Sequence, residues 1–265
     1  MIFYRIILIT IVSFILLLFM VILFASSSYV QTDEETLDLN TTFASNHNES
    51  IQLNNILNNT IKIAWEYFTS EEYENAITYY DKAISLNPLS IDAINGKGLS
   101  LSELGKHHEA IDLYNKALKI EPNSKQVLNN KGYSLDEIGK HSEAIDLYNE
   151  ALKIDPNSKL VLNNKGYSLF LLGKYKEAIN LYNEALKIDP KFVDALANKG
   201  SAYYRLGNFT ESVKWLDQAL KKDPSILVSI YYKTRALEEL GETQLAAEFF
   251  KNASNIYYKS LTMSK

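Results

Sequence analysis

Histidines, carboxylates and side-chain amides are the groups in this chain that could do chemistry, and their spacing decides what kind. The four histidines are His47, His107, His108 and His141, and His107 and His141 stand 34 residues apart. A metal site would need a third ligand placed with them, and none is; the absence of cysteine removes thiolate ligands as well. At the same spacing the chain carries Tyr73, Tyr175 and Phe209, so these imidazoles are expected to replace packing rings. No Gly-rich phosphate loop, His-Glu-x-x-His helix or nucleophile elbow occurs. The carboxylates recur with the turns of a solvated helix face, as solubility requires. No catalytic residue, metal or cofactor is expected. The amides repeat more tellingly: Asn95, Asn129 and Asn163 form one series at 34-residue steps, and Asn130, Asn164 and Asn198 a second. An amide can donate to and accept from a peptide backbone at once.

The elements that position these groups follow from the same period. Pro88, Pro122, Pro156, Pro190 and Pro224 are each 34 residues apart. Taking Ile91 as position 1 gives six blocks: 57–90, 91–124, 125–158, 159–192, 193–226 and 227–260. Small residues then fall at position 8 (Gly98, Gly132, Gly166, Gly200), position 20 (Ala76, Ala110, Ala144, Ala178, Ser212, Ala246) and position 27 (Ala83, Ala117, Ala151, Ala185, Ala219, Ala253). Large ones recur at position 4 and at position 24, where Tyr80, Tyr114, Tyr148, Tyr182, Leu216 and Phe250 stand. Large knobs and small holes at fixed offsets let two helix faces interdigitate. Positions 4, 8 and 11 share one helical face and 20, 24, 27 and 28 another, which predicts two amphipathic helices per block. Gly105, Gly139, Gly173, Gly207 and Gly241 suit a left-handed residue closing the first helix, and the prolines end the second.

The small residue at 8, glycine at 15, alanine at 20, aromatic at 24, alanine at 27 and proline at 32 resemble the tetratricopeptide repeat over residues 57–260. The resemblance implies an all-α, right-handed solenoid of six helix-turn-helix units. Departures are Leu or Ile at position 4 where the family often has Trp, and lysine at position 7, with Ala64, Glu71, Thr234 and Tyr258 in the terminal blocks. Terminal repeats lack a neighbour on one face and are commonly atypical.

In that architecture positions 2, 5, 6, 9 and 13 line a concave groove, with 12 at its flank. The expected partner-binding residues are Asn95, Asn129, Asn130, Tyr133, Leu160, Asn163, Asn164, Tyr167, Phe170, Leu171, Asn198 and Tyr204. The amides suit an extended peptide, or they bond within the repeat; both readings stand. Some family members hold a terminal carboxylate with basic residues. Here Asp92, Glu103, Asp136, Glu137, Asp194, Glu238 and Glu239 outnumber Lys62, Arg205 and Arg235, so a neutral or basic ligand fits better. Blocks 125–158 and 159–192 differ at nine positions, among them Gln126/Leu160, Asp136/Phe170 and Glu137/Leu171. With Tyr167 these make an apolar patch, which marks a contact site unless the rings fold back onto a neighbouring helix. A net charge of −5 argues against nucleic acid. Self-association through the last helix, around Phe249, Phe250, Tyr257 and Tyr258, is the alternative.

Ahead of the repeats, residues 6–25 form an apolar run with only Thr10 and Ser13 polar, about the length that spans a bilayer. Arg5 before it and Asp33, Glu34, Glu35 and Asp38 after it place the repeats on the extracytoplasmic side of a single-pass membrane protein. Ala25-Ser26-Ser27 leaves a cleavable signal peptide, and hence secretion, as the second reading. Residues 26–50 read as a polar tether and 51–265 as the solenoid. Asn40, Asn48, Asn58, Asn208 and Asn252 begin glycosylation triplets, most of them attributable to chance in an asparagine-rich chain.

Overall fold

The computed structural model describes residues 49–263, with side chains as far as Asn255. The expected span 6–25 and all but the end of the expected tether lie outside these residues. Among the described residues no helix is long and apolar enough to cross a membrane. The chain divides into two compact units, Met1–Asn59 and Thr60–Lys265, and the stacked helix pairs belong to the second.

Every described element is a helix: α1 (49–69), α2 (Tyr73–Leu86), α3 (Ile91–Glu103), α4 (His107–Ile120), α5 (Lys125–Glu137), α6 (His141–Ile154), α7 (Lys159–Leu171), α8 (Tyr175–Ile188), α9 (Val193–Arg205), α10 (Phe209–Lys222), α11 (Leu227–Glu239) and α12 (Thr243–Met263). From α2 onward each helix packs on its sequence neighbours, and the odd-numbered helices α3, α5, α7, α9 and α11 also touch one another in order. This is a solenoid of antiparallel pairs in which each unit buries its faces on the next.

The packing is the knob-and-hole scheme written in the sequence. The alanines at positions 20 and 27 from Ala76 to Ala219 are fully buried, as are Tyr114, Tyr148 and Tyr182 at position 24. A Cβ added to Gly98, Gly132 or Gly166 would meet the ring of Tyr114, Tyr148 or Tyr182 at 2.5–2.6 Å, so position 8 must be glycine for that ring to lie flat against the helix. The first helix of each pair closes on a left-handed glycine. At Gly139 (φ 79°) the Lys140 amide donates to Leu135 O at 2.8 Å and the glycine amide to Asp136 O at 2.9 Å, capping the last carbonyls. The first unit has no glycine there, and Glu71 takes the same conformation at φ 62°.

The second helix ends before proline, and an acidic or amide side chain organises the turn. Asp155 Oδ1 accepts from the Asn157 amide at 3.1 Å while Oδ2 accepts from Lys125 Nζ at 2.6 Å; Asp189 repeats this with Lys191 and Lys159. These bonds hold both carboxyls below the ordinary carboxylate range. The turn is thereby tied to the start of the preceding first helix.

Candidate functional site

Positions 5 and 6 sit on the faces that the odd-numbered helices turn toward one another. The six asparagines there join into one head-to-tail chain. Asn198 Nδ2 donates to Asn163 Oδ1 (3.1 Å), Asn163 to Asn164 (3.4 Å) and Asn164 to Asn129 (3.0 Å). Asn129 then donates to Asn130 (3.4 Å) and Asn130 to Asn95 (3.0 Å). Asn129 and Asn163 are buried and the other four half-buried. The amides therefore bond between repeats. Since an amide carries two N–H groups and two lone pairs, each keeps capacity for a ligand where it is exposed.

At positions 12 and 17 the structure assigns roles that spacing alone did not. Asp136, expected among the groove charges, is buried. Its Oδ1 lies 2.9 Å from His141 Nδ1, and its Oδ2 accepts from Tyr148 OH at 3.0 Å and from Ser168 Oγ, in the next repeat, at 2.7 Å. Burial pushes its carboxyl above the ordinary value, against the pull of the Ser168, His141 and Tyr148 bonds. One repeat earlier the pair is Ser102 and His107, 3.2 Å apart, with Ser102 also 3.0 Å from Ser134. One repeat later it is Phe170 and Tyr175, in edge contact at 5.4 Å. The position-17 histidines thus occupy ring positions, His107 lying edge-on to Tyr133, and each also bonds to position 12.

Of the expected apolar patch, Leu160, Tyr167 and Leu171 are exposed at 48%, 36% and 41%. Phe170 is half-buried, stacked on Tyr167 at 6.3 Å and packed against the core, which is the folded-back outcome for that ring. Tyr204 is half-buried between Phe209 and Tyr232.

A concave cavity of about 340 Å³ opens on the faces of α5, α7 and α9 and reaches the start of α11. Tyr133, Tyr167, Asn163, Asn164 and Asn198 line it, with Asp136 and Tyr148 on its wall. Asn95, Asn129, Asn130, Leu160, Phe170, Leu171 and Tyr204 do not. Glu137 and Asp194, at positions 13 and 2, line it too, and Ala197, Ile226 and Val228 close its far end. Ile226 escapes sequence reasoning because it lies in the turn before a first helix, where no helical wheel could place it. The phenols of Tyr133 and Tyr167 are pushed up from their usual value by burial first and then by the charge of Glu137.

Family comparison decides the identity of the repeat. Models described as "TPR repeat" (166–207) and "Tetratricopeptide repeat" (61–88, 89–157, 147–180, 193–226) together cover residues 61–226 without a gap. The chain belongs to the tetratricopeptide-repeat family. No curated protein matches it. Among solved tetratricopeptide-repeat structures and their like, it resembles PilW, a widely conserved type IV pilus biogenesis factor, at 20% identity over 73% of this chain and 90% of that one (TM-score 0.68). PilF of Pseudomonas aeruginosa matches at 19% over 80% and 99% (TM-score 0.67). YrrB, a TPR protein with an unusual peptide-binding site, matches at 24% over 66% and 90% (TM-score 0.51). At these identities the likeness is one of fold.

Proposed function

We propose that this tetratricopeptide-repeat protein is a membrane-attached scaffold whose concave groove binds a neutral or basic peptide segment of a partner protein. The observation that carries this reading is the cavity over α5, α7 and α9, where two exposed phenol rings, three amides and the carboxylates of Glu137 and Asp194 converge, and no lysine or arginine among the described residues lines it. Rings and amides give an extended chain something to stack on and to hydrogen-bond. A peptide-binding site described for the similar fold of YrrB is consistent with it. The membrane half rests on the apolar run 6–25 with Arg5 before it and no lysine or arginine after it until Lys62, the asymmetry by which the positive-inside rule keeps the amino end in the cytoplasm.

A second reading is favoured by the last repeat. Phe250 is 53% exposed although its equivalents from Tyr80 to Leu216 are buried, and Leu245 is 50% exposed. A repeat face without its neighbour can dock on another copy. Tyr257 and Tyr258 lie beyond the described side chains.

One experiment separates the two. A photo-crosslinking residue placed at Tyr167 in the native cell should trap a different protein, whereas one at Leu245 trapping the chain itself would favour self-assembly. If Tyr167 traps nothing while Leu245 traps another copy, the groove reading is wrong. Topology is checked by protease added to intact cells or spheroplasts. Digestion of the repeats with residues 1–25 still attached supports the anchor; a new amino terminus near Ser28 replaces it with a cleaved signal; full protection removes the extracytoplasmic placement.

A further inference from the structure

The groove cavity is asymmetric in a way that selects its occupant. Its charged groups are all carboxylates, and no cationic side chain among the described residues lines it. Glu137 and Asp194 are both exposed, and neither has an ion-pair partner among the described residues, although lysines elsewhere pair readily with Asp81, Asp155 and Asp217. The amide chain reaches the cavity at its acceptor end: Asn198 donates to Asn163, and its own Oδ1 takes no hydrogen bond among the described residues. Amides linked head to tail polarise one another in one direction, which leaves that terminal oxygen the more negative. Asp136 adds a third carboxylate behind the wall, already bonded to Ser168, His141 and Tyr148. Tyr133 and Tyr167, 41% and 36% exposed, present ring surface beside these acceptors, and Val228 and Ile226 give the far end an apolar wall.

We infer that this cavity is a subsite for one lysine or arginine side chain of the bound peptide. Its methylene stem lies along Tyr133 and Tyr167, and its cationic head reaches Glu137, Asp194 and Asn198 Oδ1. A cation is the ligand for which acceptors and ring faces act together: carboxylates attract it, the ring quadrupole attracts it, and the stem covers apolar surface. A carboxylate would meet uncompensated negative charge. An uncharged chain would leave both acids without the partner they lack. The Coulomb influence of Glu137 on both phenols places all three groups within one field.

This inference rests on the groove reading, and its test keeps the two apart. The full-length chain is presented with capped nonapeptide pools of mixed uncharged sequence whose central residue is fixed as lysine, arginine, norleucine or glutamate. The lysine and arginine pools should bind about tenfold more tightly than the other two, which is about 1.4 kcal/mol, and the gap should shrink as salt rises from about 0.05 to about 0.5 M. It should close in Glu137→Gln with Asp194→Asn, a pair of exposed positions where the change does not threaten folding. If norleucine binds as well as lysine and Tyr133→Ala with Tyr167→Ala abolishes both, the subsite is overturned and the groove stands. If the preference for lysine survives in the acid-free variant, the cation binds elsewhere and the assignment falls. If no pool binds, the groove reading falls with it.

Discussion

Gly132 and Tyr148 meet so closely that a single added methyl on the glycine would stand 2.6 Å from Cε1 of the ring. In an exposed helix, glycine to alanine gains about 1 kcal/mol of helix propensity. Here the tyrosine is fully buried, with its hydroxyl tied to Asp136, so it cannot step aside. Overpacking of this kind costs about 1–3 kcal/mol and should win. Gly132→Ala is expected to lower the denaturant midpoint, and an unchanged or raised midpoint would show that the contact yields.

The environment of Asp136 predicts what its counterpart one repeat later will tolerate. Placing aspartate at Phe170 would bring a carboxyl near the Tyr182 hydroxyl, which is buried without a partner. The other two donors are missing, because Tyr175 stands where His141 is and Ala202 where Ser168 is. Phe170→Asp should therefore cost about 1–3 kcal/mol. Adding Tyr175→His and Ala202→Ser should recover much of that loss. A triple variant no more stable than the single would mean that the network does not carry over between repeats.

Glu71 holds a left-handed backbone at φ 62°, the position where every later repeat has glycine. For a residue with a Cβ this conformation costs about 1–2 kcal/mol, and glycine gives part of that back as added freedom of the unfolded chain. Glu71→Gly should stabilise by about 1 kcal/mol, read as a higher urea midpoint at constant slope. Destabilisation would mean that the Glu71 side chain makes a compensating contact.

Lys199 supplies a pH test. It is 5% exposed, its ammonium stands 3.2 Å from the centroid of the Trp215 ring, and burial lowers its pKa from 10.5 to about 8, with Glu211 opposing the shift. Between about pH 8 and 10.5 the unfolded chain thus holds a proton the folded chain has released, so stability contributed at this site rises with pH across that window. Below about pH 8 both states are charged and the cost of burying the charge is constant. Lys199→Met should flatten the rise while leaving other titrations in place. Identical pH profiles for the two proteins would refute the assignment.

The amide chain can be tested at its middle. Asn164→Ala removes the link to buried Asn129 and leaves that amide's oxygen without its donor. A loss of about 1–3 kcal/mol is expected from a buried polar group left unpaired. A loss below about 0.5 kcal/mol would show that water replaces the missing donor.

The period, the helix pairing, the register and the tight contacts inside each pair are legible in the amino-acid sequence. Gly132 against Tyr148, buried Ala151 and the left-handed Gly139 could all be read from it, because each follows from residues within one repeat whose relation is fixed by helical geometry. The resemblance to the tetratricopeptide repeat, joined to a wheel of the first helix, further led to Tyr133, Tyr167, Asn163, Asn164 and Asn198 as groove residues, and all five line the cavity. Contacts between repeats are not legible in the sequence and emerge once the pairs are stacked. That Asn164 reaches Asn129 rather than a ligand, and that Ser168 closes over Asp136, both depend on how far one pair is rotated and shifted on the next. A period of 34 fixes how often the helices recur. The rotation comes from how the side chains of two neighbouring pairs fit together, and that fit exists only once they are packed.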